Sequence, residues 1–367
     1  KLPGAQGGKL MESDQGATGG CMRLGLIGAG GFGAHTADLV REIDGIELVG
    51  VADVNVESAE RVAAAHGSPH WADHVALLRE CHCDAVAVVT PHNAHRDIVI
   101  DAARAGRHVF CEKAMAITVA DCHDMIEACA AAGVKLMVGH KRRLRPAYRE
   151  IKRVLDSGRF GRMLAVNVAG FFGRRITGFW SRRAECGGLL YWAGVHDIDT
   201  LRHLFGEVSR VFAVTGPKVH PEVSDQEDSI AVTLEFASGM IGTLQVSTYF
   251  PMAGYHTSFA FQIVGEHGGI AYDRQRRTIT AQIGDEAPTE ITLQPYNDQY
   301  TPNEDAKVAY LLEWSSFADW VLHDEPPVLT GEDGLRCVEI LQAAYISADT
   351  GSPVDLPLDR HERRPFE

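Results

Sequence analysis

Gly28-Ala29-Gly30-Gly31-Phe32-Gly33 directly follows the apolar run Arg23–Ile27, and Asp53 stands twenty residues beyond Gly33. A strand running into G-x-G-x-x-G and then a helix brings backbone N–H groups and a helix N-terminus up to a pyrophosphate. Side chains at Gly28 or Gly30 would block the turn or the approach of the phosphate, and Gly33 lets the helix pack on the strand. Asp53, at the end of the predicted strand Ile46–Ala52, can accept hydrogen bonds from the adenosine ribose hydroxyls. A carboxylate there repels a 2′-phosphate, and neither Val54 nor Asn55 offers a positive charge to hold one. The pattern therefore selects NAD over NADP. The plain alternative is an ordinary glycine-rich βα turn with Asp53 capping the next helix.

Three further motifs carry polar groups suited to chemistry. Thr90-Pro91-His92-Asn93-Ala94-His95 follows the third predicted strand, and Cys111-Glu112-Lys113 follows the fourth. Gly187-Gly188-Leu189-Leu190-Tyr191-Trp192-Ala193-Gly194-Val195-His196-Asp197-Ile198-Asp199 opens a helix later in the chain. With Gly139–Pro146, Gly158–Gly161, Gly331–Gly334 and Ala343–Pro353, these motifs span nearly the whole chain in one order. In this the sequence resembles the Gfo/Idh/MocA family, named for glucose–fructose oxidoreductase, inositol dehydrogenase and the rhizopine-catabolism protein.

The resemblance implies a cofactor site formed by Gly28, Gly30, Gly31, Phe32, Gly33, Asp53, Thr90, Pro91, His92, His95, Glu112 and Lys113. It implies that Lys113 binds the reacting oxygen of an alcohol or ketone and stabilises the alkoxide-like charge formed as hydride leaves carbon. Burial would lower the lysine's pKa and suit it to proton transfer. His196 would take the hydroxyl proton. Arg143, Trp180, Trp192 and Asp199 would line the substrate site, although Asp199, one helical turn from His196, also reads as a structural acid. Two departures stand out. Ala114 follows Lys113 where the family usually has proline, and Trp192 stands where its well-studied dehydrogenases carry a catalytic carboxylate. Trp192 cannot relay a proton but can stack on a sugar ring, while Tyr191 beside it offers a hydroxyl as a further catalytic acid or base.

No metal is expected. His196, Asp199 or Thr200, and His203 share a helical face, but no Cys or Glu cluster completes a set. Cys81-His82-Cys83 lacks C-x-x-C spacing and a second pair. The segment Lys141–Arg183 holds thirteen Lys and Arg against two acids, Glu150 and Asp156. Arg174, Arg175, Arg182 and Arg183 flank Phe171, Phe172, Phe179 and Trp180. This stretch is either a solvated or subunit-facing surface, or a site for an anionic sugar such as a uronate or sugar phosphate.

The elements that must position these groups fall into two sets. Residues 22–142 alternate strands (Arg23–Ile27, Ile46–Ala52, Ala85–Val89, His108–Cys111, Lys135–Gly139) with helices, among them Asp97–Ala105 and Val119–Ala132. That alternation predicts an α/β Rossmann-type doubly wound parallel sheet with its ligand at the strand C-termini. Residues 143–367 start with a helix near Pro146 and continue in strands at Met163–Gly170, Ser229–Phe236, Met240–Thr248, Ser258–Val264 and Gly269–Tyr272. Helices Asp305–His323 and Gly331–Ala348 close this α+β substrate-binding domain, whose open sheet is expected to be mostly antiparallel. Residues 1–21, Gly-rich and without an apolar core, read as a disordered leader or tag.

With 367 residues the chain is long enough for two cores, and no apolar run reaches the length of a membrane span. A net charge of −14 argues against nucleic acid and anionic membrane as partners. Eight scattered cysteines suit a reducing cytoplasm. The expectation is a cytoplasmic NAD-dependent oxidoreductase acting on a sugar, cyclitol or related polyol, assembled by family analogy as a homodimer or homotetramer. The alternatives are a redox-neutral enzyme that oxidises its sugar only transiently, and a non-catalytic NAD-binding sensor.

Overall fold

A computed structural model describes residues 20–171, 177–219, 221, 223–248, 257–273, 276–293 and 304–366. The first unit is a parallel sheet of six strands in the order β3-β2-β1-β4-β5-β6. Its strands are β1 Met22–Ile27, β2 Ile46–Ala52, β3 His70–Trp71, β4 Ala85–Val88, β5 His108–Cys111 and β6 Leu136–Val138. The order reverses between β1 and β4, where adjacent strand ends open a crevice for ligand. Both sheet faces are covered, so the central strands are largely apolar; all four residues of β4 are buried, and β1 is buried except at Arg23.

Helices α1 Gly31–Val40, α2 Val56–His66, α3 His74–Glu80, α4 His92–Arg104 and α5 Val119–Ala132 connect these strands. Side-chain caps set several starts, with Asn55, Asp73 and Thr118 each accepting a backbone N–H of the first turn. Helix α4 begins five residues before the sequence pattern suggests, because Pro91 at its N-cap position leads straight into helix and puts His92 and His95 in the first turns. α5 spans the predicted Val119–Ala132 and ends at Gly133 with φ +67°.

After a short 3₁₀ turn at Lys141–Leu144 and helix α6 Pro146–Leu155, the chain builds the second sheet. Nine strands lie in the order β14-β13-β12-β11-β7-β10-β9-β8-β15. The four inner ones, β7 Met163–Phe171, β9 Ser229–Phe236, β10 Ile241–Ser247 and β11 Thr257–Gly265, fall on predicted runs, as does β12 Gly268–Asp273. β8 Val208–Thr215, β13 Thr278–Ile283, β14 Thr289–Thr292 and β15 Val354–Asp355 are additional. The pairing is antiparallel except between β7 and β10. Alternating burial along β9 and β10 gives the sheet one covered and one open face. Short helix α7 Arg183–Cys186, a π-turn at Leu190–Gly194 and helix α8 Val195–Phe205 follow β7, with α7 against α4 and the π-turn against β10.

The two closing helices tie the units together. α9 Asp305–His323 returns to the first sheet, where Trp314 stacks on Phe110 with ring centroids 3.9 Å apart and shares a core with Leu24 and Met137. α10 Gly331–Thr350 packs on α5 of the first unit and on α8 and β8 of the second. The segment after residue 143 is thus not confined to the second sheet.

Candidate active site

The glycine turn between β1 and α1 has two kinds of glycine. A Cβ on Gly28, at φ +103°, would lie 2.3 Å from the Val89 carbonyl oxygen, and one on Gly33 would lie 1.9 Å from that of Gly28. These two allow the chain to turn and the helix to pack. At Gly30 and Gly31 a Cβ would meet nothing within 4 Å. Gly30 also leaves the α1 N-terminus without a side-chain cap, so its N–H groups face open space of the kind a pyrophosphate needs. Asp53 braces the turn: its carboxylate accepts from Ala29 N at 2.6 Å and from Asn55 N at 2.7 Å. Thr90 Oγ1 is buried beside the turn with no partner among the described residues. These residues fit a dinucleotide.

Lys113 projects from the end of β5. Glu112 holds its backbone, accepting from Lys113 N at 3.1 Å, and the Lys113–Ala114 peptide is cis. The Lys113 ammonium donates to the Trp192 carbonyl oxygen at 3.5 Å and lies 5.8 Å from the Trp180 ring centroid. Burial lowers its pKa, against the opposing charge of Glu112. The Trp180 ring stands 6.2 Å from that of Trp192 and 5.5 Å from that of His92, which gathers aromatic surface on the Trp180 side of the lysine.

His196 is the second residue of α8, just after the π-turn, an insertion that shifts the helix phase and is common at functional sites. Its Nδ1 is buried without a partner among the described residues. Burial pushes its pKa well below the ordinary value, and Lys113, Arg142, Lys141 and His140 push it further the same way. The imidazole is therefore held neutral. The π-turn depends on Gly188, at φ +121°, where a Cβ would sit 2.2 Å from the Tyr345 hydroxyl. Tyr345 OH in turn donates to the buried Glu227, which also accepts from Leu189 N at 3.1 Å.

Several expected site residues have other roles. Tyr191 is fully buried and its hydroxyl donates to the Ile117 carbonyl at 2.6 Å; burial raises its pKa far above the usual value, so it is no proton carrier for the cleft. Arg143 and Asp199 are spent on each other in a buried pair, with Arg143 Nε donating to Asp199 at 3.1 Å and Nη2 also reaching Asp333 at 3.2 Å. Both groups are thereby engaged inside the protein. His95 is buried with its ring nitrogens against the carbonyls of Thr90 at 2.9 Å and of Ala114 and Met115 at 3.1 Å, and so joins the loops after β4 and β5. His92 likewise meets the Cys186 carbonyl at 2.7 Å.

Of the basic stretch, Arg174 and Arg175 lie outside the described residues. Arg182 is exposed and pairs with Glu185, while the Arg183 guanidinium lies 4.5 Å from the Tyr345 ring centroid. Arg142 pairs with Asp197 in the interior. Sequence reasoning overlooked Lys141 and its neighbours Tyr310 and Glu313; only the local excess of basic residues pointed near it. One possible metal set, His140, Asp199 and Cys337, has ligand atoms within 4.8 Å, but Arg143 already donates to both Asp199 oxygens.

The chain matches the Gfo/Idh/MocA oxidoreductase family model in two parts, the NAD-binding Rossmann fold at residues 22–140 and the C-terminal alpha/beta domain at 152–356. It is 29% identical over 349 residues to myo-inositol 2-dehydrogenase of Thermotoga maritima, covering 91% of this chain and 98% of that one. It is 29% identical over 268 residues to 2,7-anhydro-N-acetylneuraminate hydratase of Escherichia coli, covering 72% and 70%. Among solved structures it is similar to the WlbA dehydrogenase of Bordetella pertussis in complex with NADH and UDP-GlcNAcA, with TM-score 0.79, 26% identity and coverage of 93% and 99%.

Proposed function

The chain belongs to the Gfo/Idh/MocA oxidoreductase family, and from that premise we propose an NAD-dependent dehydrogenase or reductase acting on a CH–OH carbon of a sugar, cyclitol or related polyol. Bound NAD supplies the hydride acceptor or donor. The observation that supports the reading is that Lys113, at the end of β5, acts electrostatically on the neutral His196 in the first turn of α8, with the Trp180 ring centroid 5.8 Å from the ammonium. The Lys113 ammonium binds the substrate oxygen and stabilises negative charge on it, in a site whose burial strengthens the interaction. His196, kept unprotonated, accepts the hydroxyl proton during oxidation. Trp180 and Trp192 offer flat apolar surfaces to the C–H face of a ring.

Monitoring reduced-nicotinamide absorbance with NAD and a panel of polyols, sugars, uronates and sugar phosphates tests this reading. One substrate class should give a signal that Lys113→Ala lowers by about 10²–10³-fold. Silence across the panel from a protein that binds NAD would refute net dehydrogenation. A second reading, redox-neutral chemistry on tightly held NAD, draws on Trp192 occupying the place of the family's carboxylate and on the E. coli relative being a hydratase. Cofactor that copurifies and does not exchange would favour it.

The proposal includes a homodimer or homotetramer, supported by exposed Phe212, Val214, Ile241 and Val264 on the open face of the second sheet. No described helix is long and apolar enough to cross a membrane. A cytoplasmic setting is part of the same reading, supported by seven buried cysteines that form no disulfide among the described residues.

A further inference from the structure

Two lysines approach the cofactor turn, and only one has been given a task. Lys141, in the 3₁₀ turn after β6, is 6% exposed. Its ammonium lies 3.8 Å from the centroid of the Tyr310 ring on α9 and 5.3 Å from that of Phe32 in the glycine turn. The Phe32 and Tyr310 rings are 5.8 Å apart, so the cation is fixed beside the first turn of α1. Among the described residues its Nζ makes no hydrogen bond and no ion pair.

A buried ammonium without a counter-ion is costly, and cation–π contacts offset only part of that cost. Neither neighbouring acid forms a hydrogen bond or ion pair with it among the described residues. Glu313 on α9 is wholly buried, both its carboxyl oxygens lack partners among the described residues, and burial raises its pKa well above the usual carboxylate range. Glu112 after β5 attracts the ammonium from a distance, while its Oε2 accepts from Lys113 N. The donors of Nζ are therefore left for an anion that reaches it directly. The open space over Gly30 and Gly31, at an uncapped helix N-terminus, adjoins the same Phe32.

We propose that Lys141 is a cofactor-binding residue whose ammonium, held by Phe32 and Tyr310, carries the charge of the NAD pyrophosphate. The assignment rests on NAD binding and not on the direction or substrate of the reaction, so a binding experiment tests it separately from turnover. The groups facing Lys141 are Glu112 after β5, Tyr310 and Glu313 on α9, Lys113, and Arg145 at the start of α6. Burial, helped by Lys113 and Arg145 and opposed by Glu112 and Glu313, brings the Lys141 pKa down to about 8. The charged form binds phosphate, so affinity is full below that pH and falls above it.

Dissociation constants for NAD and for ADP-ribose, measured by calorimetry at pH 7 to 9.5 in the wild type, Lys141→Met and Lys141→Arg, test the proposal; these pH limits bracket the lysine's lowered range at about 8. Lys141→Met should weaken both ligands alike, by about tenfold to a hundredfold, the range of a charge-assisted hydrogen bond. Lys141→Arg should keep affinity within a few fold while losing the decline above pH 8 that the wild type shows. Removing an unpaired buried charge should leave folding intact, which thermal unfolding checks, and Lys141→Arg carries the test if the methionine variant does not fold. Unchanged ADP-ribose affinity in Lys141→Met, or a decline with pH that persists in Lys141→Arg, would overturn the assignment.

Discussion

At the residue scale, the site works by holding charge away from water. Lys113 keeps its ammonium against the Trp192 carbonyl and the Trp180 face, and His196 is surrounded by cationic neighbours that disfavour a second proton. Free histidine would lose its function as a base on acidification through about pH 6.5. Here the pKa lies well below that value, so the base persists at lower pH. On the alkaline side the Lys113 charge is lost earlier than for a free lysine, because its pKa is lowered. The kcat/KM profile for alcohol oxidation should therefore stay level through pH 6.5 and fall on the alkaline side below the ordinary lysine range. A break centred at pH 6.5 would remove His196 from the base role.

At the element scale, the glycine turn separates folding from binding. Gly33→Ala forces a Cβ to within 1.9 Å of the Gly28 oxygen, which α1 can relieve only by moving off β1. Gly30→Ala meets no atom within 4 Å and sits at the N-cap of α1 with a negative φ that alanine can adopt. Gly30→Ala should thus unfold within about 1 kcal/mol of the wild type, the size of an N-cap change, yet bind NAD at least tenfold more weakly because its methyl stands where the pyrophosphate approaches. Gly33→Ala should lose stability and binding together, as thermal unfolding and calorimetry would show. Equal stability losses in the two variants would contradict this division. The π-turn shows the same dependence of chemistry on an element, since Gly188 and the Glu227–Tyr345 pair set where α8 begins and hence where His196 stands.

At the scale of the whole molecule, the two units are joined by groups that a smaller view would assign to the substrate. Arg142–Asp197 and Arg143–Asp199 pin the 3₁₀ turn to α8, Tyr191 ties the π-turn to Ile117, and α9 seats Trp314 in the first core. The second sheet leaves its other face uncovered, with Ile241 54% and Val264 48% exposed. These exposed apolar side chains are what the proposed assembly would cover. Light scattering should give a dimer or tetramer for the wild type, and Ile241→Glu with Val264→Glu should shift it toward monomer while NAD affinity is kept. A monomeric wild type would end the proposed assembly.

The dinucleotide fold was legible along the chain because its signals are local: a strand, glycines at fixed spacing, a helix and an acid follow one another within about thirty residues. The inner strands of the second sheet were likewise visible as strand-like runs, whereas the two-residue β15 gains its identity from pairing with β8, far away in the sequence. Lys113 and His196 were readable through motifs. The fates of Tyr191, Arg143, Asp199 and Lys141 were not, because each depends on a contact between residues far apart in sequence: Tyr191 with Ile117, Arg143 with Asp199, Lys141 with Tyr310. Residue type states what a side chain can do; whether it faces a ligand or a buried partner follows from packing, which sequence spacing does not encode.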